Sequence, residues 1–260
     1  MGEAKRRGTG GTNMRRLYAR ASTTAIAKLI VPAGPGLPQR ESALAARAIA
    51  ETVRTHVRSA LVRASTTGDL QRTLDAIDTI GGECIGLFEE ALTRAAAESK
   101  PRGAELAGVA CRRGCAFCCY VDVDVTPLEA IRLARQPAGI DAATAPEGGR
   151  RTPCPLLVDG ACSQYERRPL ACRAVFSPDA KVCEAGYVAE GRVEVPSLDW
   201  PRHLAAGYIT GEIAALDDLG LASHMVTLRE GLVVLRAENA IRAWLNGDDV
   251  LPRRSAAKPQ

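Results

Sequence analysis

The sequence is poor in aromatic residues and in histidine, and it contains no long hydrophobic run. Phe, Trp and Tyr make up 4% of the 260 residues, and there are 3 histidines. A helix that spans a bilayer needs about 20 consecutive apolar residues, and no segment reaches that length. The apolar stretch at residues 25–31 is interrupted by Lys28, so it lacks the continuous core of an export signal. We therefore expect a cytoplasmic protein with no membrane partner.

The chain also lacks the features of a nucleic-acid-binding protein. Its formal net charge is +4, and the basic residues near the N-terminus surround a glycine-rich stretch. A basic tail can contact nucleic acid or anionic lipid, but neither an aromatic RNA-binding motif nor a DNA-reading module accompanies it here. We interpret residues 1–39 as a basic, disordered tail and linker, and we expect no nucleic-acid partner.

The segment after this tail has the periodicity of two amphipathic helices. Asp69 is placed to cap the second helix, and Pro101 and Gly103 are expected to end it. Because only a few residues separate the two helices, we predict an antiparallel helical hairpin over residues 40–103. The apolar stripe of its first helix comprises Ile49, Val53, Val57 and Leu61.

A strand and a well-marked helix start follow in the middle of the chain. Apolar and acidic residues alternate at 121–125 (VDVDV), which predicts a β-strand. Thr126, Pro127 and Glu129 then provide the N-cap, the first helical proline and the third-position acid of a capping box. The helix that they begin should end before Pro137.

The rest of the chain divides into a proline-rich segment and a second helical region. A loop rich in glycine and proline leads into residues 153–178, where prolines recur so often that regular structure must be short. Beyond Pro201, apolar residues return at helical spacing, with Ile209 and Ile213 on the expected buried face, until Gly247 ends the pattern.

All of the 9 cysteines except Cys84 fall in one segment of the sequence. Thiols spaced by two or three residues can direct their sulfurs to one soft metal ion, whereas a disulfide across so short a loop is strained. In a reducing cytoplasm, clustered thiols more often bind metal than form disulfides. We therefore predict metal ligands rather than disulfide partners or redox thiols. The predicted ligands are Cys111, Cys115, Cys118, Cys119, Cys154, Cys162, Cys172 and Cys183.

The adjacency of Cys118 and Cys119 bears on the number of metal ions. Neighbouring side chains diverge, so both cysteines are poorly suited to one mononuclear tetrahedral site, which favours two metals or a polynuclear centre. The thiols would suffice for two zinc sites of four cysteines each, or for an iron-sulfur cluster such as 4Fe-4S together with a structural site. Because zinc and iron both accept thiolate ligands, the sequence does not decide which of the two metals is bound.

Other residues are assigned mainly by their context. Cys84 lies on the apolar stripe of the second helix and is expected to pack in the core. The histidines occur without ligand spacing, so His56 is interpreted as surface or packing, and His203 and His224 are kept only as reserve ligands. Arginines flank the cysteines and would offset the negative charge of a metal-thiolate site. These arginines are Arg112, Arg113, Arg167, Arg168 and Arg173.

Four stretches of this sequence, taken in order, resemble the YkgJ-like CxxCxxCC cysteine-cluster proteins of bacteria. They are residues 115–119 (CAFCC), 126–130 (TPLEA), 154–157 (CPLL) and 162–173 (CSQYERRPLACR). The resemblance implies a zinc- or iron-chelating domain whose cysteines hold the metal. Some relatives resemble protein-lysine methylases that act on flagellin, an activity that no methyl-donor motif in this chain supports.

These signals predict a mainly α protein, in which a helical scaffold surrounds a small, loop-rich, metal-stabilised cysteine module with at most a short strand pair. The chain is divided into the tail and linker (1–39), the hairpin (40–103), a cysteine-cluster metal-binding domain (104–190) and a C-terminal helical segment (191–260). We expect a metal-binding protein whose partners are a metal ion or cluster, with a protein partner left open. Its cellular pathway is not indicated by the sequence.

The alternative function is an iron-sulfur-dependent enzyme, either a redox or a protein-modifying enzyme of the lysine-methylase type. The spacing of Cys111, Cys115 and Cys118 also fits the three-cysteine motif of radical S-adenosylmethionine enzymes. Such enzymes resemble barrels of alternating strands and helices, and that alternation does not follow the motif here, so this variant is disfavoured. Whether the protein is an enzyme stays open.

Overall fold

The computed structural model describes residues 39–136, 152–189 and 196–253, with side chains from residue 44 onward. Among these residues it contains nine α-helices and two short antiparallel strand pairs. The prediction of a mainly α fold around a loop-rich cysteine module is confirmed, with two strand pairs where one was expected. The predicted tail over residues 1–38 and the glycine-rich loop before Cys154 lie outside the described residues.

Along the described chain, long helices precede and follow a middle part made of short helices and strands. The helices are α1 (Gln39–Ser65), α2 (Leu70–Glu98), α3 (Lys100–Ala107), α4 (Pro127–Ala134), α5 (Leu170–Arg173), α6 (Ala180–Val188), α7 (Asp199–Asp218), α8 (Leu228–Leu235) and α9 (Glu238–Leu245). The strands are β1 (Asp124–Val125), β2 (Leu157–Val158), β3 (Ala161–Cys162) and β4 (Val226–Thr227). No helix in the described ranges is long and apolar enough to cross a membrane.

The first helices begin where the sequence predicted, and α2 ends at Glu98, just before the predicted stop at Pro101. Gly68 adopts a φ of 69° in the loop after α1, and Asp69 caps α2 by accepting two backbone N–H groups of its first turn. The short helix α3, which contains Gly103, was not predicted. The chain turns before α3, and Pro101 lies in the first turn of this helix, where its missing N–H leaves no hydrogen bond unmade.

Helix α7 packs closely along α1 through small residues. Backbone carbonyls and side chains of α1 lie within 3.2 Å of the Cβ positions that side chains at Gly207 and Gly211 would occupy. One turn further along α1, the Arg54 guanidinium donates to both carboxylate oxygens of Asp218, at 2.6 and 2.7 Å. The expected buried face with Ile209 is therefore only partly right, because the closest contact is made by the glycines.

Helix α4 starts as predicted, but the strand before it is shorter than predicted. Only the last two residues of 121–125 form β1, which pairs antiparallel with β4, while Val121 is 65% exposed. The Thr126 hydroxyl accepts the Glu129 N–H at 3.2 Å, and the Glu129 carboxylate accepts the Thr126 N–H at 3.1 Å. The capping box is confirmed, and the helix ends at Ala134, ahead of Pro137.

One hydrophobic core connects the three described stretches of chain. The Trp244 indole in α9 is fully buried and donates to the Ala222 carbonyl at 2.8 Å. The domain boundaries proposed from the sequence stay predictions. The largest fully buried core side chains include Ile77, Phe88, Ile131, Leu216, Leu235 and Trp244.

The close approach of α1 and α7 predicts that a side chain added at Gly211 lowers the stability of the protein. An added Cβ at Gly211 would lie 2.6 Å from both the Ala50 carbonyl oxygen and the Val53 Cβ. We expect Gly211→Ala to lower the free energy of unfolding by about 1–3 kcal/mol, because the two helices must separate.

Gly86→Ala is the matched control, since Gly86 also lies in a helix and a Cβ added there would meet no atom within 4 Å. It should raise the free energy of unfolding by about 0.5–1 kcal/mol through helix propensity. Urea unfolding of both variants in the same metal state tests this, and equal effects would contradict the close packing.

Candidate metal centre

The first cysteine group lies in a tightly turned loop between α3 and β1. Gly114 adopts a φ of 88°, and the Cys115 N–H donates to the Arg112 carbonyl at 3.0 Å, which closes a turn after Cys111. Residues Phe117–Tyr120 form a 3₁₀ turn that contains Cys118 and Cys119. The short spacing of these four cysteines is therefore accommodated by two consecutive turns.

The second cysteine group is distributed over a hairpin and two helices. Cys154 precedes β2, and Cys162 lies on β3, where it pairs with Leu157. Asp159 and Gly160 form the turn between these strands with φ values of 49° and 74°. Cys172 lies in α5 and Cys183 in α6. An Asp-Gly pair between short apolar runs is a strong hairpin signal that the sequence reading missed.

Backbone and aromatic contacts join the two groups. The Cys154 N–H donates to the Cys119 carbonyl at 2.6 Å, so the second group begins directly against the end of the first. Tyr187, one turn after Cys183 in α6, contacts the Tyr120 ring at a centroid distance of 4.7 Å and the Phe117 ring at 6.2 Å. These contacts bring both groups to one region of the molecule.

A backbone N–H group donates to the sulfur of one cysteine, and backbone amides act on the pKa of two others. The Ser177 N–H lies 3.2 Å from the Cys111 Sγ, and the amides of Leu156 and Gln164 oppose the rise in pKa that burial causes at Cys154 and Cys162. Such donors stabilise a thiolate, which is the form that binds a metal. The donor set is soft sulfur supported by backbone amides, and it fits zinc or iron.

The surroundings of several of these thiols nevertheless disfavour their ionised form. Burial raises the pKa of Cys172, and the charges of Cys154 and Cys118 raise it further. Burial also raises the pKa of Cys111, to which Cys118, Cys115 and Cys183 add. A hydrogen bond with the Cys119 side chain is the main cause that raises the pKa of Cys118. Each buried thiolate would therefore need a nearby cation to compensate its charge.

The side chains are not arranged in a complete coordination shell. Within the described ranges, no three of the His, Cys, Asp and Glu side chains are placed so that they could hold a metal ion. The reserve histidine His224 lies beside Asp249, with Nδ1 at 3.8 Å from its carboxylate, and His56 bonds Glu83 at 2.7 Å. Ligation by the eight cysteines thus stays a prediction.

Comparison with known proteins bears directly on this region. Residues 110–188 match the model of the CxxCxxCC family, which is described as "putative zinc- or iron-chelating domain". This segment, less than half of the chain, is similar to the CxxCxxCC family, and we refer to it below as the CxxCxxCC domain. All of the predicted ligand cysteines lie within it, whereas α1, α2 and α7 to α9 lie outside. The family description supports metal binding. No curated protein and no solved structure matches the chain.

The arginines of the CxxCxxCC domain divide between two roles. Arg168 stacks on the Tyr165 ring at 3.6 Å, and its charge opposes the rise in pKa that burial causes at Cys162. Arg173 is instead buried and pairs with Glu89 of α2, while Arg167 pairs with Asp78 of the same helix. Arg167 and Arg173 therefore fasten the second cysteine group to the scaffold.

Two buried carboxyl groups lie between the CxxCxxCC domain and the scaffold, and the sequence reading missed one of them. Glu129 accepts the Leu170 N–H at 2.7 Å, just before Cys172, in addition to its capping-box bonds. Glu212 of α7 is 1% exposed and accepts the Thr126 hydroxyl at 2.6 Å. Cys84 is buried as predicted, and the charge of Glu212 adds to burial in raising the pKa of its thiol.

The ionisation of Glu212 makes stability depend on pH. Burial, and after it the charge of Glu129, raises the pKa of Glu212 to about 8. A carboxyl group with a raised pKa contributes most to stability below its ordinary pKa, and that contribution is lost as pH rises towards the raised value. We expect Glu212→Gln, which stays neutral, to become more stable than the parent protein as pH rises from 5 to 8.

The difference should reach the order of a few kcal/mol at pH 8, because each unit of pKa shift corresponds to about 1.4 kcal/mol. Urea midpoints at several pH values, with metal content held constant, measure it. Glu230→Gln is the control, because the Glu230 side chain in the first turn of α8 is exposed. Its urea midpoint should match that of the parent protein at every pH. A constant offset between parent and Glu212→Gln would contradict the prediction.

Proposed function

We propose that the protein binds zinc or iron through the cysteines of its CxxCxxCC domain. The observations that support this most strongly are the hydrogen bond that the Ser177 N–H donates to the Cys111 sulfur and the backbone amides that oppose the rise in pKa at Cys154 and Cys162. These donors favour thiolates at positions where burial alone disfavours them. A metal ion supplies the positive charge that such thiolates require.

We further propose that the ligands form two sets that share Cys118 and that each combine cysteines from both groups. Cys115, Cys118 and Cys183 raise the pKa of Cys111 through their charges, which supports one set built from these four residues. Cys154, Cys118 and Cys162 raise the pKa of Cys172 in the same way, which supports a second set, completed by Cys119. Cys118 is the member common to both environments. Two metal ions, or one polynuclear centre such as a 4Fe-4S cluster, are consistent with this division.

The proposal includes a reducing, cytoplasmic setting. Its support is that each of the cysteines, all of which are described, is a free thiol. Free clustered thiols persist where the environment is reducing. We propose no catalytic activity, because neither the family description nor the arrangement of the described residues provides an observation in favour of one.

The position of Cys118 predicts the outcome of a cysteine-to-serine series. Cys118→Ser should lose more bound metal than Cys172→Ser, because Cys118 is shared by both ligand sets and Cys172 belongs to one. Cys84→Ser is the matched control, because Cys84 is a buried core cysteine outside residues 110–188. It should retain the metal content of the parent. Zinc and iron per chain, measured by elemental analysis of purified variants, decide the result.

Loss of metal from Cys84→Ser with full retention in Cys118→Ser would contradict the ligand assignment. Thermal unfolding of each purified variant separates the loss of a ligand from misfolding. A Cys118→Ser protein that unfolds cooperatively but contains less metal than the parent supports ligation by Cys118.

A further inference from the structure

Helix α8 is fixed against the cysteine region although it follows the CxxCxxCC domain by some forty residues of chain. Strand β4, which leads into α8, pairs with β1 directly after the first cysteine group. The Leu228 N–H also donates to the Val123 carbonyl at 2.8 Å. An added Cβ at Gly231 would lie 3.2 Å from the Ala130 Cβ of α4, so α8 has little freedom to shift. The first turn of α8 therefore has a defined place beside the domain.

Arg229 in this first turn contacts the backbone immediately before Cys154. Its Nη2 donates to the Pro153 carbonyl at 2.6 Å and approaches the Thr152 carbonyl at 3.4 Å. The next residue, Cys154, donates its own N–H to the Cys119 carbonyl. A continuous chain of hydrogen bonds thus runs from α8 through the start of the second cysteine group to the end of the first.

The guanidinium of Arg229 also has an uncommitted donor. Its Nε is buried and has no hydrogen-bond partner among the described residues. A buried unpaired donor is costly, and charged groups that hold or neutralise the loops around a metal-thiolate site are a regular feature of such sites.

We propose that Arg229, a residue outside the CxxCxxCC domain, is a positioning residue that holds the Cys154 loop in place for metal binding. The inference rests on the proposed function, because positioning matters only if Cys154 is a ligand. It extends the metal-binding unit beyond residues 110–188 to β4 and α8.

The test compares Arg229→Gln with Arg242→Gln in the full chain. Arg242 lies on α9, is 56% exposed and pairs with Glu238, so it is a matched arginine away from the cysteines. Zinc affinity is measured by competition with a chromophoric chelator. We expect Arg229→Gln to weaken zinc binding by about tenfold or more, the usual effect of removing a residue that supports a metal ligand. Arg242→Gln should bind as the parent does. Equal affinity in Arg229→Gln and the parent would overturn the proposal.

A second readout separates positioning from general destabilisation. The zinc-loaded proteins are alkylated with iodoacetamide, and the reaction of each cysteine is followed by mass spectrometry. In Arg229→Gln, Cys154 should react faster than in the parent while buried Cys84 stays protected. Arg229→Lys, which keeps the charge and one donor nitrogen, should recover part of the protection. Uniformly faster reaction of all cysteines, Cys84 included, would overturn the positioning role.

Failure of this inference is distinguishable from failure of the proposed function. If the parent protein binds neither zinc nor iron, the proposed function is wrong. If the parent binds zinc and Arg229→Gln binds it equally, only the role of Arg229 is wrong.

Discussion

Glu129 accepts backbone N–H groups from two parts of the chain, Thr126 at the start of α4 and Leu170, which lies 41 residues after Glu129. The first bond closes the capping box of α4, and the second fixes the start of α5, which contains Cys172. Because this carboxylate is buried, losing it would leave two backbone donors unsatisfied in the interior. The relative position of the two cysteine groups therefore depends on a polar contact rather than on apolar packing alone.

The second cysteine group is fixed to the scaffold by ion pairs, and its buried thiols would need positive charge nearby in order to ionise. Arg167 and Arg173 attach the second cysteine group to acidic residues of α2. Burial raises the pKa of Cys111 and of Cys154, while backbone amides oppose that rise at both thiols. A scaffold that is folded by its own hydrophobic core can thus present loops whose final arrangement depends on metal.

Local signals in the sequence predicted the local structure well. The capping box at Thr126 and Glu129 and the N-cap at Asp69 could be predicted because each depends on residues within one helical turn. The Asp159-Gly160 hairpin was also available as a local signal and was overlooked. The cysteine spacing identified the domain, but it did not indicate which sulfurs lie together.

Long-range features could not be predicted in this way. The length of β1 is limited by its two-residue partner β4, about a hundred residues further along the chain. The close contact of Gly211 with α1, the burial of Glu212 and the approach of Arg229 to Pro153 each depend on elements that meet only in the folded chain. Periodicity favoured Ile209 on the buried face of α7, whereas the contact with α1 selects small residues there.

The most direct test of the central claim is the metal content of the parent protein purified without oxygen, measured by elemental analysis together with an ultraviolet-visible spectrum. We expect zinc or iron bound in a fixed ratio to the chain, with colourless protein for zinc and broad visible absorption with sulfide for an iron-sulfur centre. Protein that is folded, fully reduced and free of both metals, and that takes up neither when they are supplied, would contradict the central claim.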